Sequence, residues 1–161
     1  MAKRDNVMAK AGKIDKNILG GIGMSATRII LQAQNDGTLS FGDYKLIHKT
    51  KQDDFEFEGD IYKAKTFHEM TKLEKNDMFI YESVPGSKVD FFKATGMGVT
   101  FSVTSFEDIQ CILELEPNQS YEVMIEGVLI GEMTTGVSGK LVFGIELTPD
   151  VPTEVKITEK I

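Results

Sequence analysis

The residue pattern predicts an all-β fold: a β-sandwich or jelly-roll-like body of about eleven or twelve short antiparallel strands behind a basic N-terminal arm or helix. Two features of the body point there. From residue 28 onward, apolar residues alternate with polar ones, the period of a strand with one face in water. Clusters of Gly, Asn, Asp and Pro punctuate these runs at roughly the 8–12 residue spacing of a sandwich or barrel. A chain of 161 residues, 41% apolar and 27% charged, buries enough surface to fold without staples.

The arm comes first. Val7, Ala11, Ile14 and Ile18 are spaced 4, 3 and 4 apart, one face of a helix. Asp5 is placed to cap it and Gly20-Gly21 to end it, while Gly12 inside costs about 1 kcal/mol. A helix this marginal needs a partner surface. Residues 28–34 (RIILQAQ) then read as a strand, Asn35-Asp36-Gly37 as a tight turn with positive φ, and 38–41 as the returning strand. Further strands are expected at 44–48, at 55–58 and 60–65 around Gly59, and at 78–83. Val84-Pro85-Gly86-Ser87 fits a type II turn. Strands at 88–93, 99–104, 109–115, 121–125, 128–133, 141–147 and 154–158 complete the set. Only 66–75 is expected to form a short helix. The expected core is Phe41, Phe55, Phe57, Phe79, Tyr81, Phe101, Val103, Ile112, Leu113, Leu115, Val123, Ile125, Leu141, Phe143 and Ile145. The domains are an arm, 1–27, and a body, 28–161, with sub-lobes at about 28–104 and 105–161.

Charge divides the chain. Residues 1–34 hold six basic residues (Lys3, Arg4, Lys10, Lys13, Lys16 and Arg28) and two acidic ones (Asp5 and Asp15), a net of +4. The remainder holds 12 basic and 23 acidic residues, a net of −11, which makes the total −7. A body this acidic repels nucleic acid phosphates and anionic lipid. No apolar run approaches a membrane span. The stretch 18–24 is short and has three glycines, so no export signal is expected, and the expected place is the cytoplasm or an assembled particle.

Chemistry-bearing motifs are sparse. The single Cys111 allows no internal disulfide and lies in an apolar run, where it reads as a small buried hydrophobe. His48 and His68 stand 20 residues apart and read as surface residues. Thr134-Thr135-Gly136-Val137-Ser138-Gly139-Lys140 lacks the first Gly of a phosphate loop and has Leu141 after the Lys, so it reads as a hairpin loop. In an extended strand Asp54, Glu56, Glu58 and Asp60 share one face, a solvated face or a docking patch for the basic arm. No cofactor or metal site is expected.

The segments LSFGDYKL (39–46), GDIYKAKTF (59–67), EMTKLEKNDMFIYESVPGSKV (69–89), ILELEPNQSYEVMIEG (112–127) and GKLVFGIEL (139–147) carry a resemblance. Over about residues 29–158 the chain resembles a group of small β-rich proteins of anaerobic Gram-positive bacteria that bear the label "endosialidase". Its Gly-Lys-Leu ending is also similar to the last hairpins of β-sandwich modules appended to carbohydrate-active enzymes. Sialic-acid enzymes clamp the substrate carboxylate with several arginines, since the guanidinium fork binds it through two hydrogen bonds. This chain has only Arg4 and Arg28, outside those segments. The resemblance therefore implies a fold, and no catalytic residue follows from it.

The expected function is a non-enzymatic building block. Lys3, Arg4, Lys10, Lys13, Lys16, Ile14 and Ile18 of the arm dock on a neighbouring subunit or larger assembly, with Asp54, Glu56, Glu58 and Asp60 as the receiving acids. The expected partners are copies of the chain or other proteins. The alternative is a carbohydrate-binding module, with Tyr62 beside Phe67 as the aromatic platform.

Overall fold

The computed structural model describes residues 29–161, and the expected arm helix lies outside them. Thirteen strands are described: β1 (Leu31–Ala33), β2 (Leu39–Phe41), β3 (Thr50–Phe57), β4 (Asp60–Phe67), β5 (Met70–Lys75), β6 (Met78–Val84), β7 (Lys88–Thr95), β8 (Gly98–Thr104), β9 (Ile109–Glu114), β10 (Ser120–Ile125), β11 (Val128–Thr134), β12 (Lys140–Ile145) and β13 (Thr153–Glu159). They form a seven-stranded sheet, β1-β2-β7-β8-β13-β10-β11, and a six-stranded sheet, β12-β9-β6-β5-β4-β3. Every pairing is antiparallel. The expected sandwich is what the chain builds. Chain on both sides of residue 104 enters both sheets, because β9 pairs with β6 and β13 pairs with β8.

Two-residue turns set the hairpins. Glu58-Gly59 and Glu126-Gly127 hold positive φ at both residues, the mirror-image turn that suits the twist of paired strands. Asn76-Asp77 does the same between β5 and β6. That turn ends the idea of a helix over 66–75. Those residues are the end of β4 and most of β5, with Thr66, Thr71 and Leu73 buried. Glu, Met, Lys and Leu favour helix locally, but burial of alternate residues decides the outcome.

Other expectations are corrected at the crossings between sheets. Residues 44–48 form turns, not a strand, as the chain passes from β2 to β3. The segment 84–87 joins β6 in one sheet to β7 in the other; Gly86 lacks the positive φ of a type II turn, and the Val84–Pro85 bond is cis. The stretch 134–140 is likewise a crossing between β11 and β12, which lie in opposite sheets, and not a hairpin loop. In the core, Tyr81, Phe101, Val103, Leu113, Val123, Leu141, Phe143 and Ile145 are buried as expected, with Phe41 at their centre. Ile112 pairs outward beside Val142, and Phe79 lies under the Lys140 ammonium, so neither is a core residue.

A hydroxyl network ties one end of the sandwich. The buried Thr66 and Thr71 hydroxyls lie 2.7 Å apart. Thr71 Oγ1 donates to the Ser87 carbonyl at 2.8 Å and accepts from its N–H at 2.9 Å. Ser87 Oγ meets Ser83 Oγ at 2.6 Å and the Tyr81 hydroxyl at 2.8 Å. Asp43 N donates to Thr66 Oγ1, and Ser105 Oγ donates to the Gly86 carbonyl. Three crossings, 42–49, 85–87 and 105–108, are thus joined where they turn between sheets. Hydrogen bonding matters here because an unmet buried polar group costs about 1–3 kcal/mol.

Tyr44 fastens the same region to the last crossing. Its hydroxyl donates to Asp150 Oδ1 at 2.6 Å, and its ring meets Phe106 edge-on. Burial, then the Asp150 bond and charge, push its pKa from 10.0 up to about 12. Burial also raises Tyr62, Tyr81 and Tyr121. These shifts favour the neutral phenol in the folded state. Their stability is therefore present below pH about 10 and lost as pH rises through the folded values. The urea midpoint is expected to hold from pH 7 to 9 and fall above 10, with each tyrosine adding up to about 1.4 kcal/mol per pH unit. Replacing Tyr44 with Phe should soften that fall; an unchanged alkaline slope would count against the assignment.

Candidate functional site

The end of the sandwich opposite the hydroxyl network opens into a cleft of about 270 Å³ between the sheets. Leu39, Phe92 and Val99 from one sheet and Tyr62 and Leu113 from the other line it, all buried. The β3–β4 turn lifts Glu58 to the mouth because Glu58 and Gly59 both take positive φ. Lys93 faces it from β7. Glu58 Oε2 and Lys93 Nζ come within 3.8 and 4.0 Å of the point where a Cβ on Gly37 would sit, so both charges gather over that turn.

Asp60 opens β4 at the rim. Its Oδ1 accepts from Asn76 Nδ2 at 2.8 Å, and Lys75 Nζ lies 3.5 Å from Oδ2. The Asn76 hydrogen bond chiefly, aided by the Lys75 charge, holds the carboxyl below the usual carboxylate range. Two residues on, Tyr62 turns inward with its ring tilted against Phe57 at 6.2 Å. Tyr62 is only 8% exposed, yet its hydroxyl has no hydrogen-bond partner among the described residues. Burial raises its pKa, and the Asp60 and Glu58 charges raise it further.

The four acids expected on one face do not share one. A bulge between Gln52 and Phe55 puts Asp54 at φ 56° and shifts the alternation. Glu56 stands opposite Ile61 on the outer face, Glu58 sits in the turn and Asp60 begins the next strand. The turn and the bulge break the simple period of two on which the expectation rested. The arm residues Lys3, Arg4, Lys10, Lys13, Lys16, Ile14 and Ile18 lie outside the described residues. Tyr62 and Phe67 point to opposite faces: Tyr62 is in the core, and Phe67 lies under the Lys49 ammonium. They form no shared platform. Cys111 is fully buried and its thiol is pushed up by that burial, in keeping with a core hydrophobe. No group of three or more His, Cys, Asp or Glu placed to hold a metal occurs among the described residues. Nor is any described helix long and apolar enough to cross a membrane.

The second feature is the edge strand β11, which among the described residues pairs only with β10. Its Val128, Leu129 and Ile130 are 63%, 55% and 48% exposed. Two of the other three edges, β1 and β3, are blunted, as edges usually are. Strand β1 has three residues, and the Gln52 carboxamide clasps it by accepting from Ile30 N and donating to the Leu31 carbonyl. Strand β3 carries a bulge with Lys51, Asp53, Asp54 and Glu56. Strand β12 presents Lys140 beside Glu114. On β11 only Glu132 is charged, and Lys160 pairs with it at 2.9 Å. The Val-Leu-Ile run breaks strand alternation, which was a signal open to sequence reading. That β11 ends a sheet was not.

Neither a protein-family model nor a curated protein nor a solved structure matches this chain.

Proposed function

We propose that the chain is a non-enzymatic assembly subunit in which residues 1–27 of one copy add to the β11 edge of its neighbour. The exposed Val128-Leu129-Ile130 run on the β11 edge carries this reading, with a bulge at Ile130 in its pairing to β10. An exposed edge offers a row of free backbone donors and acceptors, and an added strand satisfies them while covering the apolar side chains. The occupant is the arm because its charge suits the site. Residues 1–34 carry +4 against the −11 of the rest, and on β10, β11, β13 and their flanks Glu122, Glu126, Glu132, Glu154 and Glu159 outnumber Lys156 and Lys160. Extended, 27 residues reach about 90 Å at roughly 3.3 Å each, enough to cross onto a neighbour. In this reading the resemblance to the endosialidase-labelled proteins is one of fold, and no substrate is turned over.

Particle mass by light scattering tests it. The full chain is expected to exceed one chain mass at 0.1 M salt and to lose mass at 1 M, where the Debye length falls from about 10 to about 3 Å. Deleting residues 1–27, or replacing the exposed Leu129 with Lys, should give the mass of a single chain. Equal masses for all three proteins at both salts would reject the proposal.

A further inference from the structure

Tyr62 is buried as a residue, its hydroxyl has no hydrogen-bond partner among the described residues, and it lines a cleft together with Leu39, Phe92 and Leu113. Buried polar groups are nearly always hydrogen-bonded, so water or a ligand in the cleft supplies that bond. The rim narrows the chemistry. Glu58, Asp60 and Glu114 face Lys75 and Lys93 there, and Lys75 is taken by Asp60. With that pair set aside, an anion would meet Glu58 and Glu114 with Lys93 alone to set against them. A cation meets the reverse. The volume, about 270 Å³, falls at the low end of ligand pockets and admits only a small molecule.

We propose that this cleft binds a small primary amine on an apolar stem. The stem lies against Leu39, Phe92 and Leu113 between the sheets. The ammonium donates to the Tyr62 hydroxyl oxygen, and the Glu58 carboxylate at the mouth offsets its charge. A charge-assisted bond of this kind is about twice as strong as a neutral one. The site is separate from the β11 edge and does not depend on assembly.

The test titrates phenethylammonium chloride into the full chain while backbone amide shifts are followed by NMR. Saturable shifts are expected at Tyr62, Ala94 and Leu113. The neutral isostere 2-phenylethanol should bind at least about tenfold more weakly, the order expected of one charged hydrogen bond. Tyr62→Phe should weaken the amine about tenfold. It removes no protein hydrogen bond, so the fold remains as the reference. Glu58→Gln should narrow the gap between amine and alcohol. Absence of saturation, equal binding of amine and alcohol, or unchanged affinity in Tyr62→Phe would each overturn the proposal. Particle mass measured on the same Tyr62→Phe sample should match wild type, which keeps failure here distinct from failure of the assembly reading.

Discussion

Gly86→Ala is expected to abolish the native fold. A Cβ built on Gly86 falls inside contact distance of the Phe67 carbonyl oxygen, and the Phe67 and His68 carbonyl carbons follow closely. These are backbone atoms at the β4–β5 turn, and they are not free to step aside. Gly86 N donates to the His68 carbonyl at 3.0 Å, while its own carbonyl accepts from Ser105 Oγ at 2.6 Å. Moving Gly86 to relieve the overlap therefore pulls Ser87 out of the buried hydroxyl network. Two or three unmet buried groups at about 1–3 kcal/mol each, added to the overlap, rival the whole stability of a domain, about 5–15 kcal/mol. Gly136→Ala is the control, since nothing lies within 4 Å of its Cβ position and its φ is not positive. Near-ultraviolet circular dichroism and thermal melting should show native signal in the control and none in Gly86→Ala. A Gly86→Ala protein that melts with the control would refute the close-approach account.

Phe41→Ala is expected to cost about 3–5 kcal/mol, the usual range for emptying a buried aromatic site. Phe41 is fully buried on β2, with the Tyr81 ring edge-on at 5.2 Å and the Phe92 ring at 5.4 Å. Those three rings and Phe101 join the two sheets at the centre of the core. Strand β2 is only three residues long and pairs irregularly with β7, so ladder hydrogen bonds do little to hold it once the ring is gone. The melting temperature should drop by about 6–20 °C for a chain of this size. Phe106, half exposed against Tyr44, supplies the comparison: Phe106→Ala should fall by far less. Equal shifts for the two variants would place the core elsewhere.

Sequence reading recovered local features best. The alternation through 99–104 and 141–145 names the inward Phe101, Val103, Leu141, Phe143 and Ile145 correctly because each strand pairs there in regular register and one face is buried. Gly59, Gly127 and Gly37 mark real turns, since positive φ is cheap for glycine and hard for most other residues. Reading failed where two local signals compete. Residues 70–75 are good helix formers, and the Asn76-Asp77 turn that makes them a strand has no glycine. It also failed at Asp54 and Phe91. Each takes φ 56° at a bulge, a conformation no propensity predicts. Phe91 is left 57% exposed on the outer face while Phe92 turns inward.

What the sequence determined alone is the class of fold, the contrast between a net charge of +4 over residues 1–34 and −11 over the rest, and the burial of Cys111. These follow from periodicity and composition, which act between residues a few positions apart. Only the tertiary structure decided which strands end a sheet, that 134–140 crosses between sheets, and that Tyr62 and Lys93 face one cleft. Those depend on pairings between residues far apart in the chain. Such pairings are selected by the total surface buried when both sheets close, and no short stretch of residues encodes that sum.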